Sequence, residues 1–160
     1  MIAFGPNYLV GCAQIDEQHK ELFSIFNQLQ TYFQTHQGEM VLHQTFKNLL
    51  EYTRYHFSME EQLMILHGYS DFEAHKKEHE AIRKKVLEFD RYQSNDDLKL
   101  FDEAVQFLIN WLSHHIFQVD KRLGKFLEGK PLPPFSATKE PPADASRKLF
   151  RLSPSAQNSP

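Results

Sequence analysis

Five of the nine histidines in this 160-residue chain recur at spacings suited to holding a metal. The stretch His56-Phe-Ser-Met-Glu60-Glu61 and the stretch His75-Lys-Lys-Glu-His79 each set two candidate ligands at i,i+4. On a helix that spacing stacks both side chains on one face, one turn apart. Between the two stretches Gly68 is a helix-stop signal, and Ser70-Asp-Phe-Glu73 has the form of a capping box that opens a new helix. Two helices should therefore meet at a tight turn, each carrying a ligand pair. A lone histidine on an apolar helix face is more commonly a hydrogen-bonded core residue. The chemistry therefore depends on whether other elements bring further ligands to the same level.

Apolar residues at alternating steps of three and four predict four helices. The first starts at Asp16 as N-cap and runs to about Thr35, with Leu22, Phe26, Leu29 and Phe33 on one stripe. Stepping that stripe back by three lands on His19. Gln37-Gly38 ends it. The second runs from Glu39 to Leu66 with Leu42, Phe46, Leu49, Thr53, His56, Glu60 and Leu63 in line. The third spans Asp71 to Tyr92 and aligns Phe72, His75, His79, Ile82, Val86 and Phe89. After a turn at Ser94-Asn95, a fourth runs from Asp96 to the low 120s with Phe101, Val105, Leu108, Leu112 and His115. Short links predict an all-α, antiparallel up-down-up-down four-helix bundle. An N-terminal extended arm over residues 1–15 precedes it and packs Ile2, Phe4, Leu9 and Val10 onto the body. In that topology His19, His56, Glu60, His75, His79 and His115 all fall at one end of the bundle, facing inward.

Burying five imidazoles without partners would cost several kcal/mol, whereas a metal gives each neutral ring a use for its lone pair. Glu60 lies on the stripe; its neighbour Glu61 lies off it and is expected to be solvated. Asp120 follows His115 by five residues, about 140° away on an ideal helix. Either the helix is distorted or ends there, or Asp120 reaches in from another height. Seven ligands exceed the needs of one metal and suit two, with both carboxylates bridging. Nitrogen and oxygen donors without a thiolate suit iron or manganese better than zinc. His36, His43, His67 and His114 fall off the stripes and read as surface or turn residues.

Composition removes other classes. The formal charge is -3, the pI is near 6.3, and no basic stripe is present, which argues against nucleic acid. Cys12, the single cysteine, cannot form a disulfide within the chain, and a reducing cytoplasmic setting is expected. No apolar run is long enough to span a bilayer, and residues 1–15 lack a basic n-region followed by an apolar h-region, so no membrane partner is expected. Seven of the eight prolines fall after Gly129. The expected division is a bundle domain over 1–128 and a Pro-rich flexible tail or linker over 129–160. Within the tail, Arg147-Lys-Leu-Phe-Arg-Leu152 is basic and apolar: a solvated segment, or a docking point for a protein partner.

Four motifs now stand in order: Ile15-Asp-Glu-Gln-His19-Lys, His56-Phe-Ser-Met-Glu60-Glu, His75-x-x-x-His79, and Trp111-x-x-x-His115-Ile-x-x-x-Asp120-Lys. Together they span residues 15–121, and with every ligand position filled the chain resembles the hemerythrins, in particular the single-domain bacteriohemerythrins. The resemblance implies an oxo- or hydroxo-bridged non-heme di-iron centre. His75, His79 and His115 would bind one iron, and His19 and His56 the other. Glu60, Asp120 and a solvent-derived oxygen would bridge them. One open position on the His19/His56 iron would take dioxygen. Leu22, Phe57, Trp111, Leu112 and Ile116 lie within a turn of these residues and are expected to wall the pocket as well as to serve as ordinary bundle core. The resemblance also supplies a bridging role for Asp120. Where relatives commonly carry a tryptophan near the start, this chain has Phe4, and the Pro-rich tail has no counterpart in the family core.

The implied function is reversible dioxygen binding for transport, storage or scavenging, and not an enzymatic reaction. Bundle di-iron oxidases typically use four glutamates and two histidines. With two carboxylates, high-valent iron is less well stabilised, so oxygen should leave unchanged. The competing readings are an oxygen- or redox-sensing module that signals through the tail, a di-iron peroxidase or nitric-oxide-reducing enzyme, and a metal-free bundle.

Overall fold

A computed structural model describes residues 3–35, 39–92 and 98–133. Ile2, Gln37-Gly38, the Ser94-Asn95 turn with Asp96, His36, and the tail from residue 134, with its Arg147–Leu152 segment, lie outside the described residues. So do the side chains of Phe33, Leu42, His43, Phe89 and Phe101.

All regular structure among the described residues is helical. A 3-10 turn at Pro6–Tyr8 precedes α1 (Ala13–Thr35), α2 (Glu39–His67), α3 (Phe72–Tyr92) and α4 (Leu98–His115). A π-helical turn at Ile116–Asp120 then leads into α5 (Lys121–Leu127). Helix α1 packs on α2 and α4, and α3 packs on the same two helices, so the four close into an antiparallel bundle. The predicted stripes form its core: Leu22, Phe26, Leu29, Phe46, Leu49, Leu63, Ile82, Val86, Val105, Leu108 and Leu112 are all buried. No helix among the described residues is long and apolar enough to cross a membrane.

The α2–α3 turn sets the height of the ligand pairs. Gly68 takes the left-handed conformation at φ 66°, where a side chain would be strained. Its N–H donates to the Ile65 carbonyl at 3.3 Å, and the Tyr69 N–H donates to the Met64 carbonyl at 2.9 Å. This pair of bonds satisfies carbonyls that α2 would otherwise leave open. The chain reverses at once, and α3 begins one residue later than expected, at Phe72. The Ser70 hydroxyl donates to the Asp71 carboxylate at 3.3 Å.

Asp16 is not an N-cap. Helix α1 starts three residues earlier, and the Asp16 N–H already bonds the Cys12 carbonyl at 2.8 Å as an interior residue. Its buried carboxylate instead accepts the Val10 N–H at 2.7 Å and the Gly11 N–H at 3.2 Å. An aspartate just before an apolar stripe carries the same signature whether it caps a helix or ties down the segment before it. The arm also differs in one contact: Leu9 is exposed, while Val10 is buried and Phe4 packs edge-on against Phe23, 5.4 Å between ring centroids.

The arm crosses α5 at Gly124, where any Cβ would collide with the carbonyl oxygen of Val10. Beyond α5, Leu132 packs against the core and the Gln14 side-chain amide donates to the Pro133 carbonyl at 3.2 Å. The fourth helical segment therefore runs past the low 120s, to Leu127, and underlies the arm. Gly124→Ala should lower the thermal stability by about 1–3 kcal/mol despite the better helix propensity of alanine, because the arm must lift. An unchanged melting temperature would show that the arm is not seated on α5.

Candidate metal centre

Each helix of the bundle brings candidate ligands to one level. His19 comes from α1, His56 and Glu60 from α2, His75 and His79 from α3, His115 from the end of α4, and Asp120 from the end of the π turn. All seven are at most 2% exposed. They form two groups that share both carboxylates: Glu60, His75, His79, His115 and Asp120 in one, and His19, His56, Glu60 and Asp120 in the other. Within each group the ligand atoms lie within 4.8 Å of one another.

The two carboxylates divide their oxygens between the groups. Asp120 Oδ1 faces His75 Nε2 at 3.2 Å and His115 Nε2 at 3.1 Å, while its Oδ2 faces His19 Nε2 at 3.2 Å. Glu60 Oε2 faces His79 Nε2 at 3.2 Å and His75 Nε2 at 3.5 Å, while its Oε1 faces His56 Nε2 at 3.6 Å. None of these five Nε2 atoms or four oxygens completes a hydrogen bond among the described residues. Buried polar atoms aimed at one another without being satisfied are what a cation site looks like.

The π turn removes the difficulty with Asp120. The Lys121 N–H reaches back to the Ile116 carbonyl, a bond spanning five residues. Such a turn holds one extra residue, so the side chain five positions after His115 returns toward the same face. Nothing in the spacing alone distinguishes a π turn from a regular helix carrying an outward aspartate.

Electrostatically the pocket demands positive charge. Burial and the mutual repulsion of Glu60 and Asp120 favour their neutral forms, but the surrounding histidines outweigh this and hold both carboxyls below the usual range. Burial pushes His56 down to about 4, which keeps it a neutral donor near pH 7. Burial also opposes charge on His75, yet Asp120 and Glu60 raise it to about 9.

Two ring nitrogens on the far side of the cluster have partners. His56 Nδ1–H donates to the Gln18 side-chain oxygen at 2.9 Å, which leaves Nε2 with its lone pair toward the carboxylates. His79 Nδ1–H donates to Glu61 Oε1 at 3.0 Å, and the Arg83 guanidinium donates to the same oxygen at 2.9 Å. Glu61 is therefore not solvated as expected. Burial works against its charge, but His79 and Arg83 hold its carboxyl below the usual range. It sits off the α2 stripe because it faces the seam with α3. The available signal was the hairpin register, since Glu61 and His79 are equidistant from Ser70 along the chain. Gln18 carried no signal: its partner is 38 residues away on another helix.

Of the residues expected to wall a pocket, Leu22, Phe57, Leu112 and Ile116 are buried, and Trp111 is half-buried. Trp111 stacks on the His115 ring, 4.5 Å between centroids at 16°. Phe57 stacks on His79 at 3.9 Å and 8° and meets Trp111 edge-on at 5.8 Å. Of the histidines read as peripheral, His114 is exposed and His67 is half-buried at the end of α2.

A helical bundle with a shared histidine–carboxylate cluster at one end defines a class, and residues 10–127 match the family model of the hemerythrin HHE cation binding domain. The chain belongs to the hemerythrin family. It is 33% identical to the bacteriohemerythrin of Methylococcus capsulatus over 124 residues, 78% of this chain and 91% of that one. Identity to the bacteriohemerythrin of Clostridium acetobutylicum is 29% over 126 residues, 76% of this chain and 97% of that protein. A solved structure of wild-type hemerythrin superposes with a TM-score of 0.71 at 27% identity, covering 78% of this chain and 95% of the other.

Deleting Gln118 should convert the π turn to regular helix and leave the aspartate four residues after His115, still on the cluster face. Circular dichroism should then stay strongly helical and metal uptake should persist. Loss of metal uptake would mean that the extra residue does more than restore the register.

Proposed function

We propose that this chain binds dioxygen reversibly at a non-heme di-iron centre held by His19, His56, Glu60, His75, His79, His115 and Asp120. The observation that carries this reading is the division of each carboxylate, one oxygen toward each histidine group. A single cation would leave one histidine group and one oxygen of each carboxylate unsatisfied. The donor set of imidazole and carboxylate suits iron. When bound, a pair of irons supplies two electrons to dioxygen and takes them back on release.

The residues of this chain shape that exchange. The His19/His56 group has one protein ligand fewer than the group with three histidines, which leaves room there for a small external ligand. Leu22, Phe57, Leu112 and Ile116 keep water and protons from the cluster, and Trp111 holds the His115 ring in plane. The two-carboxylate donor set favours release of dioxygen unchanged over its activation. The relatives named bacteriohemerythrin support the same family role. A buried, unpaired Cys12 suits a reducing cytoplasmic setting. The bundle with its arm, up to Pro133, is the functional unit in this reading.

His56→Ala and His79→Ala should each reduce iron below two per chain while keeping substantial helicity. Unchanged iron in both variants would remove the ligand assignment. The reconstituted wild-type protein should take up one dioxygen per iron pair and release it under vacuum over repeated cycles without a co-reductant. Sustained oxygen consumption driven by a reductant would instead mark an enzyme. Truncation after Pro133 should leave uptake unchanged; loss of uptake would mean that later residues complete the pocket.

A further inference from the structure

The outer contacts of the two histidine groups differ in charge. In the three-histidine group, His79 Nδ1–H donates to the Glu61 carboxylate, and Arg83 donates to the same oxygen. The His79 ring is also held across its face: Phe57 stacks on it at 3.9 Å, and the Arg83 guanidinium lies 5.3 Å from the Phe57 ring centroid. Arg83 thus touches both supports of one ligand. In the two-histidine group, His56 Nδ1–H donates to the neutral amide oxygen of Gln18. The Nδ1 atoms of His19, His75 and His115 are buried without a hydrogen-bond partner among the described residues, so Glu61 and Gln18 are the outer partners that can set the groups apart.

A carboxylate on Nδ1–H draws the proton toward itself and makes Nε2 a stronger donor to a metal, while a neutral amide does so weakly. Glu61 is half-buried and braced by Arg83, so its charge is neither fully screened by water nor free to swing away. The group it supports also has the larger protein donor set. Both differences act in the same direction.

We propose that the two metal positions fill in order. Glu61, braced by Arg83, is the positioning residue that makes the His75/His79/His115 position the first to be occupied, and Gln18 leaves the His19/His56 position the weaker one. This inference rests on the metal-centre reading above. It means that a chain short of metal holds its single ion on the side with the larger donor set. The side left open for an external ligand is then completed last.

The test is anaerobic titration of the metal-free full chain with cobalt(II), followed by calorimetry and by the visible d–d absorption. Wild-type protein should take two equivalents, the first at least about tenfold tighter. Glu61→Gln keeps an oxygen for the His79 N–H but removes the charge. It should weaken the first equivalent about tenfold and move the second by less than about threefold, so that the gap closes. Gln18→Glu should close the gap from the other side by tightening the second equivalent. His56→Ala should keep the tight equivalent, and His79→Ala should lose it. Equal affinities in the wild-type protein would overturn the proposal. So would an equal loss at both positions in Glu61→Gln, which is what a merely structural role produces. No cobalt uptake by wild-type protein would overturn the metal centre itself, a failure distinct from two equal equivalents. Should Glu61→Gln fail to fold, Gln18→Glu alone decides, and an unchanged gap in that variant counts against the proposal.

Discussion

Two carboxylates with no solvent exposure, Glu60 and Asp120, face each other across five imidazoles in the interior of a helical bundle. The rest of the structure answers to that constraint. An isolated carboxylate moved from water into a medium of low dielectric carries an idealised penalty on the order of 20 kcal/mol. Ordinary bundle cores avoid such groups. Here each oxygen instead faces one or two imidazole nitrogens at 3.1 to 3.6 Å. Two cations shared between the histidine groups, as proposed, would satisfy both carboxylates and all five rings. That physical requirement ties the fold to the metal centre more closely than any one ligand motif does.

The scaffold serves the same end through three local devices. The left-handed Gly68 ends α2 abruptly and starts α3 at a height that brings His75 and His79 beside Glu60. The π turn after His115 carries one extra residue and so returns Asp120 to the cluster. The arm, tied by the Asp16 carboxylate and seated on Gly124, packs its 3-10 turn against that π turn. The arm thus closes the end of the bundle at which the ligands converge. The supports behind the ligands follow the same logic, with Phe57 and Trp111 stacked on His79 and His115 to fix the ring planes.

Much of this was legible in the residues, and the exceptions share a cause. Helical periodicity placed His19, His56, Glu60, His75, His79 and His115 on inward stripes, because a stripe reports which face of an ideal helix is buried. It failed for Asp120 because the helix there is not ideal. It failed for Glu61 because a stripe describes the centre of the bundle, whereas Glu61 lies in the seam between two neighbouring helices and finds His79 there. Gln18 was invisible because its contact crosses from α1 to α2 with no local pattern to announce it. Asp16 reads as an N-cap rather than as an anchor for the arm, since both roles place an aspartate before an apolar stripe. Composition and spacing therefore reveal the candidate ligands, while the outer contacts that would tune them emerge only from the packed structure.

The central claim is that Glu60 and Asp120 join two irons into one coupled unit. Mössbauer and electron paramagnetic resonance spectra of the iron-57-reconstituted, oxidised protein test it most directly. The account predicts two ferric ions per chain, antiferromagnetically coupled and without a resonance signal at low temperature. A high-spin ferric signal accounting for all of the bound iron, as from one isolated ion or two uncoupled ones, would contradict it.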